Sequence, residues 1–146
     1  MIFRLIATDL DGTVLRSDGS VSERTVAALR AAESSGSMVV VATGRPPRWM
    51  RPVADALGHT GLAVCSNGAV VYDLHTDEVL EHTPISRDVV LAVAAAVRAA
   101  VREVTFAIET RDAGFGREAA YPVAPEVDLE PAGMLVGSLD ELVSDD

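Results

Sequence analysis

Lysine is absent from this chain. All twelve basic residues are arginines, and 22 acidic residues outnumber them, so that the formal net charge is −10 at pH 7. This balance argues against a nucleic-acid-binding or anionic-membrane-binding surface, because both need a positively charged footprint. We therefore expect neither a nucleic acid nor a membrane as a partner, whereas a metal cation at an acidic site is compatible with the charge.

Cysteine and aromatic residues are also scarce. The single cysteine, Cys65, cannot form an internal disulfide and has no cysteine partner for a thiolate metal site. Aromatic residues make up 4% of the chain and hydrophobic residues 49%, so Ala, Val and Leu must form the core, which suits helices packed on a parallel sheet. The N-terminal stretch MIFRLIATDL is too short and too polar for a signal peptide or a membrane span. We therefore expect a cytoplasmic protein.

Apolar runs alternate with helical patterns in the first half of the chain. MIFRLIAT and SMVVVAT are continuous apolar runs typical of buried strands, and LAVCSNGAVVYD is a third strand that resumes after the turn pair Asn67-Gly68. Helical spacing follows Ser22 as far as Gly36, and a second helical pattern ends at Gly58. This order predicts parallel crossovers, and HTDEVLEHTPI is interpreted as the return arm of a hairpin.

Polar clusters follow each of the three predicted strands, namely DLDGT, ATGR and CSNGA. Ligands of open parallel sheets bind beyond the carboxyl ends of the strands. Folding would therefore gather the three clusters along one edge of the sheet, which is the first indication of function. Each cluster alone is a weaker indication, because Asp-x-Asp-Gly and Asn-Gly are also common turn compositions.

Two carboxylates, Asp9 and Asp11, stand two positions apart where the first strand ends. Side chains at i and i+2 of an extended segment point to the same side, and such carboxylates repel unless a cation or a proton separates them. Mg²⁺ fits best, because it prefers oxygen ligands and takes few protein carboxylates. One aspartate can then attack a phosphoryl group while the other acts as general acid and base. Candidates to hold the phosphoryl oxygens are Gly12, Thr13 and Thr43.

The composition changes near Thr83. SRDVVLAVAAAVRAAV predicts a helix and REVTFAIET a strand, whereas residues 112–131 are rich in Gly, Pro and Glu and carry no assignment. AGMLVGSLDELVSDD predicts a short strand and then a helix capped by Ser138. We therefore divide the chain into residues 1–82 and 83–146.

DLDGTVL, VVVATGR and CSNGAVVYD together resemble the haloacid dehalogenase (HAD) superfamily, and the continuation into a hairpin and a helix is similar to its Cof-like branch. The resemblance covers residues 1–82 closely and the remainder loosely. It implies an α/β fold, in which residues 1–82 form the N-terminal part of a Rossmann-like parallel-sheet core. Residues 83–146 would begin an inserted α+β cap domain of type IIB.

The resemblance also implies a function, which is that of a Mg²⁺-dependent phosphatase of small phosphorylated metabolites. Asp9 would be the nucleophile that forms an aspartyl-phosphate, and Asp11 the general acid and base. The side chain of Asp9 and the backbone carbonyl of Asp11 would bind the Mg²⁺, and Thr43 would bind the phosphoryl group. The other residues expected to line the site are Gly44, Arg45 and Asn67.

Two charged features of that family are missing from the sequence. The family uses a lysine to offset negative charge and a late acidic pair to complete the metal site, whereas this chain has no lysine and its pair Asp145-Asp146 follows the helix-like SLDELV. We do not assign that pair to the metal, and we expect the 146 residues to be the front part of a longer protein. A natural short form would look the same. Alone, the apolar face of DVVLAVAAAVRAAV would seek another surface, such as a second copy.

Other functions stay open at this point. A mutase would return the phosphoryl group to a sugar. A non-catalytic module would bind Mg²⁺ and phosphate without turnover, which the missing lysine favours and the intact Asp9–Asp11 pair opposes. A receiver domain ranks lower, because it needs an acidic pair at an earlier strand end and a lysine on a later strand. We expect His59, His75 and His82, which have no ligand-like spacing, to be solvated.

We predict that the 146-residue chain alone is a poor phosphatase, because it lacks the lysine and the late carboxylates that the family uses. The measurement is the release of inorganic phosphate from a phosphate ester in the presence of Mg²⁺. Hydrolysis at rates typical of the family, lost in Asp9→Asn, would contradict this prediction.

Overall fold

The computed structural model describes residues 3–59, 61–110, 114–122 and 134–143. The chain divides into two compact units, Met1–Pro84 and Ile85–Asp146. The assignment of residues 1–82 to a catalytic core and of residues 83–146 to part of a cap domain stays a prediction. The pair Asp145-Asp146 lies outside the described residues.

The first unit is built on one five-stranded sheet. Its strands are β1 (Leu5–Asp9), β2 (Met38–Ala42), β3 (Leu62–Cys65), β4 (Val70–Asp73) and β5 (Glu78–His82). Its helices are α1 (Glu23–Ser34) and α2 (Arg51–Leu57), the second preceded by a 3₁₀ turn at Pro47–Trp49.

The strands follow one another across the sheet in the order β1-β2-β3-β4-β5. The first three are parallel, with α1 and α2 in the crossovers between them, whereas β4 and β5 are antiparallel. The predicted α/β class and the hairpin return arm are confirmed. The prediction that LAVCSNGAVVYD is one strand resumed after a turn is wrong, because the turn at Ser66–Gly68 reverses the chain and β4 runs antiparallel to β3. The sheet is therefore mixed rather than wholly parallel.

The two faces of this sheet differ in burial. On one face, Val41 is fully buried in the same core cluster as Leu57 of α2. On the other face, Leu5 pairs with Met38 in the β1–β2 register, and these side chains are 56% and 55% exposed. Asp9 lies on this second face, because it stands four positions after Leu5 in the same strand.

Helix α1 begins and ends where its sequence predicts. The side-chain oxygen of Ser22 accepts the backbone N–H of Thr25 at 3.0 Å, which satisfies one of the unpaired N–H groups at the helix start. After the helix, Gly36 has a φ of +89°, a conformation that favours glycine.

Helix α2 ends at Gly58, which is left-handed, and the next residue corrects a prediction. His59 is 4% exposed, and its Nδ1 lies 2.9 Å from Oε1 of Glu33 on α1. The expectation that His59 is solvated is therefore wrong, because a carboxylate on the neighbouring helix compensates the burial of the ring. His75 is exposed, as expected, and His82 is half-buried.

The described residues of the second unit form two helices and a three-stranded sheet. In chain order its elements are α3 (Arg87–Ala100), β6 (Ala107–Thr110), β7 (Gly114–Arg117), β8 (Leu135–Val136) and α4 (Leu139–Leu142). β7 is antiparallel to β6 and parallel to β8. Ser138 caps α4 and forms a capping box with Glu141, which confirms the predicted cap.

Strand β7 lies within residues 112–131, for which we predicted no secondary structure. Two of its four residues are glycines, which are depleted in strands. One of them, Gly116, faces α4, where an added Cβ would lie 3.1 Å from Cδ2 of Leu142. On α3, Val89 and Val93 are 50% and 54% exposed.

A membrane-spanning helix is not found in the part of the chain that the structure describes, since no helix there is both long and apolar enough to cross a bilayer.

We predict that Ser22→Ala lowers the free energy of unfolding by about 1 kcal/mol, because the mutation removes the acceptor at the start of α1. The measurement is urea denaturation followed by the fluorescence of Trp49, which lies in the first unit. Ser17→Ala removes an exposed serine outside any helix and should change the free energy by less than about 0.5 kcal/mol. Equal effects of the two mutations would show that the cap does not contribute.

Candidate active site

The first loop of the candidate site is a tight turn around Leu10. The carbonyl of this fully buried residue accepts the backbone N–H groups of Thr13, Val14 and Leu15 at 3.1, 3.0 and 2.8 Å. Inside the turn, Gly12 has a φ of +78°, which side chains other than glycine rarely adopt. These hydrogen bonds therefore fix the backbone of Asp9 and Asp11, the two residues that flank Leu10.

The two aspartates flank Leu10 and have different partners. Asp9, the last residue of β1, accepts the hydroxyl of Thr13 on Oδ2 at 3.2 Å. Asp11 instead receives the guanidinium of Arg45, with Nε 3.0 Å from Oδ2 and Nη2 2.6 Å from Oδ1. The two carboxylates are thus held by different groups, one by its own loop and one by the next loop.

The contact with Arg45 changes the acidity of Asp11. The hydrogen bonds that Arg45 donates lower the pKa of the Asp11 carboxyl below its ordinary value, against a smaller opposing effect of burial. Both groups stay partly in contact with water, since 57% of the Asp11 side chain and 29% of the Arg45 side chain are exposed. Asp11 is therefore ionised in this arrangement at neutral pH.

The second loop follows β2 and contains Thr43, Gly44 and Arg45. Thr43 is 6% exposed, and its backbone N–H donates to the carbonyl of Val64 on β3 at 2.9 Å. Its hydroxyl accepts the backbone N–H of Arg45 at 3.1 Å. The loop therefore continues the sheet pairing for one residue and then turns around the threonine side chain.

The third loop follows β3 and is bound to the second through the backbone. Ser66 donates its N–H to the carbonyl of Arg45 at 3.0 Å, and Asn67 donates its N–H to the carbonyl of Thr43 at 3.2 Å. Ser66 and Asn67 both have positive φ, at 50° and 56°. A Cβ on Gly44 would lie 3.1 Å from Oδ1 of Asn67, so glycine allows the two loops to approach closely.

The β1–β2 register explains why these loops meet. Asp9 is aligned with Ala42, so Thr43 follows the partner of Asp9 on the adjacent strand. The hydrogen bonds join Asp11 to Arg45 and Thr43 to Asn67. The pairing of Arg45 with Asp11 was not foreseen from the sequence, because the two residues are 34 positions apart and only the strand register relates them.

The carboxylates at this edge match the small number of protein ligands that Mg²⁺ takes. Within the described ranges, no group of three or more His, Cys, Asp or Glu side chains is placed to hold a metal ion. Mg²⁺ keeps several water molecules and takes one or two protein carboxylates. Asp9 and Asp11 are therefore enough to supply its protein ligands. Because both oxygens of Asp11 bind Arg45, the Asp9 side chain is the better placed ligand of the two.

Comparison with known proteins identifies the family. The sequence profile of the haloacid dehalogenase-like hydrolases matches residues 6–131. The chain belongs to this family. Over 85 residues it is 36% identical to the pyridoxal phosphate phosphatase YbhA of Escherichia coli (strain K12), which covers 58% of this chain and 31% of that protein.

Solved structures of HAD hydrolases have the same fold. A haloacid dehalogenase-like hydrolase from B. subtilis matches with a TM-score of 0.66 and 30% identity, over 79% of this chain and 39% of that one. The HAD subclass IIB sugar phosphatase BT4131 matches with a TM-score of 0.67 and 20% identity, over 94% of this chain and 54% of that one. These similarities confirm the HAD membership and the fold expected from the motifs. The chain spans 31%, 33% and 34% of the length of three curated relatives.

Cys65 ends β3, directly before the third loop of this HAD domain, and is fully buried. Burial raises the pKa of the Cys65 thiol to about 11, so the thiol is protonated at neutral pH. A reactive role needs the thiolate. Cys65 therefore belongs to the core of the sheet rather than to the chemistry at its edge.

We predict that Cys65 of the folded chain reacts with iodoacetamide at pH 8 about a hundredfold more slowly than an ordinary thiol, from its ionisation alone. The measurement is the mass of the alkylated protein over time, which is unambiguous because the chain has a single cysteine. The urea-unfolded chain is the control and should react at the ordinary rate. Equal rates in the two states would show that Cys65 is accessible and ionised.

Proposed function

We propose that this chain carries the nucleophile and the phosphoryl-binding loops of a Mg²⁺-dependent phosphatase of small phosphorylated metabolites. The observation that carries the proposal is the joining of three loops at the carboxyl edge of the sheet. Asp11 binds Arg45 of the second loop, and the carbonyl of Thr43 accepts an N–H of the third loop. Membership of the HAD hydrolases supports the reaction class.

Asp9 is the proposed nucleophile and Asp11 the proposed general acid and base. Asp11, which is ionised in the free protein, first takes up a proton from the monoanionic phosphate ester. In the first step an oxygen of Asp9 then forms a bond to phosphorus, the bond from phosphorus to the leaving oxygen breaks, and Asp11 delivers its proton to that oxygen. In the second step water attacks the phosphorus of the aspartyl-phosphate, the bond to Asp9 breaks, and Asp11 takes the proton of the water. The hydroxyl of Thr13, bound to Oδ2 of Asp9, orients the nucleophile.

The phosphoryl group needs donors beside the nucleophile. Gly12, with its positive φ and no side chain, allows the backbone of the turn around Leu10 to come close to this group, and the second loop adds a threonine hydroxyl. The residues we assign to phosphoryl binding are Gly12, Thr13, Thr43 and Gly44. Arg45 and Asn67 line the same edge.

The Asp9 side chain and the Asp11 backbone carbonyl would hold the Mg²⁺. When bound, the cation supplies positive charge to the phosphoryl oxygens. The acidic residues at the edge and the orientation of Asp9 support this assignment. Arg45 also supports it, because its guanidinium binds both side-chain oxygens of Asp11. The backbone carbonyl of Asp11 is then the oxygen that this residue can offer to the cation.

The substrate class follows from chemistry and from the relatives. One relative is named for pyridoxal phosphate and one structural neighbour for a sugar, and both names describe small phosphate esters. We assign residues 1–82 to the catalytic core and residues 83–146 to the start of a cap domain that contributes specificity. The proposal includes a cytoplasmic location.

A non-catalytic module that binds Mg²⁺ and phosphate is the second candidate. The absence of lysine from the sequence favours it, because the positive charge that HAD phosphatases draw from lysine is missing. The intact pair of Asp9 and Asp11 opposes it.

We predict that the chain forms a Mg²⁺-dependent beryllofluoride adduct on Asp9, because this adduct mimics a phosphoryl group bonded to a carboxylate. The measurement is ¹⁹F NMR of the protein with beryllium fluoride, with and without Mg²⁺. Asp9→Asn should abolish the signal. Asp18→Asn, which alters a loop carboxylate bound to the N–H of Ser20, should leave it intact.

An adduct that survives Asp9→Asn, an adduct that is independent of Mg²⁺, or no adduct at all would overturn the proposed function. An adduct on Asp9 without release of phosphate from any ester would select the non-catalytic candidate.

A further inference from the structure

Arg45 is the one residue of the second loop whose side chain reaches the first loop through a described hydrogen bond. Its guanidinium contacts both oxygens of Asp11, and such bidentate pairs are stronger and better oriented than single contacts. The pair lies at the surface, where a single ion pair contributes little to stability. Stability alone therefore does not account for the geometry.

The backbone of Arg45 is fixed on both sides. Its N–H donates to the hydroxyl of Thr43 at 3.1 Å, and its carbonyl accepts the N–H of Ser66 at 3.0 Å. The guanidinium thus extends from a loop that the third loop holds in place. Because the backbone of Arg45 is fixed, its guanidinium can impose an orientation on the Asp11 carboxylate. An arginine on a mobile loop would instead adjust to the position of Asp11.

Asp11 has an alternative partner. Asp9 and Asp11 stand two positions apart beside one edge of the sheet, and a divalent cation attracts every carboxylate within its reach. If both side chains chelated the cation, Asp11 would be unable to exchange protons with a leaving group. Bound to Arg45, each Asp11 oxygen keeps a lone pair that can accept another proton.

We propose that Arg45 is a positioning residue that withholds the Asp11 side chain from the divalent cation. The cation is then left to the Asp9 side chain, and the Asp11 carboxylate stays directed toward the reacting group. This inference rests on the proposed function, since it assumes a cation beside Asp9. Arg45 thereby separates two roles, cation binding by the Asp9 side chain and proton transfer by the Asp11 side chain, which these two identical side chains would otherwise share.

A simpler effect of Arg45 must be distinguished from this one. A guanidinium near a metal site weakens cation binding by repulsion alone, whatever it contacts. Repulsion predicts that removal of Arg45 tightens Mg²⁺ binding at least as much when Asp11 is already absent, because Arg45 is then not neutralised. Positioning predicts that removal of Arg45 tightens Mg²⁺ binding more when Asp11 is present than when it is absent, because the added affinity comes from the Asp11 carboxylate as a new ligand.

The experiment is a double-mutant cycle on Mg²⁺ affinity, measured by titration calorimetry of the 146-residue chain with MgCl₂ as the only ligand. The proteins are the wild type, Arg45→Met, Asp11→Ala and the double mutant. We expect Arg45→Met to tighten Mg²⁺ binding about tenfold or more in the wild-type background, and clearly less in the Asp11→Ala background. Tightening that is equal or greater in the Asp11→Ala background overturns the proposal.

Two further variants separate charge from geometry. Arg45→Lys keeps the positive charge but not the planar fork, so it should tighten Mg²⁺ binding to an intermediate extent, whereas simple repulsion predicts no change. Arg51→Met is the matched control, because it removes the arginine of an exposed pair with Asp55 and should leave the affinity unchanged. Tightening by Arg51→Met equal to that by Arg45→Met would overturn the proposal.

A spectroscopic measurement covers the case in which Arg45→Met folds poorly. In protein labelled with ¹³C at the aspartate carboxyls, Mg²⁺ should shift the Asp9 resonance more than the Asp11 resonance in the wild type, and the Asp11 resonance should shift further in Arg45→Lys. An Asp11 resonance that shifts equally in both proteins contradicts the positioning role.

Asp9→Asn distinguishes failure of this inference from failure of the proposed function. Loss of Mg²⁺ binding in Asp9→Asn without coupling between positions 45 and 11 overturns the inference alone. Unchanged binding in Asp9→Asn, or no binding in either the wild type or Arg45→Met, overturns both.

Discussion

The parallel pairing of β1 with β2 is the constraint on which the candidate site depends. The register aligns Asp9 with Ala42, so both strands end at the same edge and their loops leave the sheet side by side. Asp11 and Arg45, 34 residues apart, come within hydrogen-bonding distance for this reason. The third strand joins through the N–H of Thr43 and the carbonyl of Val64. The site is therefore a property of the sheet edge rather than of any single loop.

The three loops contribute in different ways. The first supplies carboxylates on a tight turn, and the third supplies backbone hydrogen bonds from residues in left-handed conformations. The second connects them, because its backbone binds the third loop and its arginine side chain binds the first. Gly44 makes this possible, since any Cβ there would press on Asn67.

Local patterns predicted the local structure well. The apolar runs, the caps at Ser22 and Ser138 and the turn at Asn67 all depend on neighbours in sequence, and these elements form as expected. The pairs Arg45–Asp11 and His59–Glu33 depend on contacts between distant segments, which periodicity does not reveal. Strand β7 escaped prediction because two of its four residues are glycines, so its pairing comes from the neighbouring strands rather than from its own propensity.

The exposed face of the sheet sets the dielectric environment of the site. Asp9 shares that face with Leu5 and Met38, which remain more than half in contact with water. Two unit charges about 4 Å apart interact by about 1 kcal/mol in bulk water and by about 4 kcal/mol near a partly covered protein surface. A cover that extended along this face as far as Asp9 would therefore strengthen every charge interaction of Asp9 severalfold without altering a single residue of the three loops.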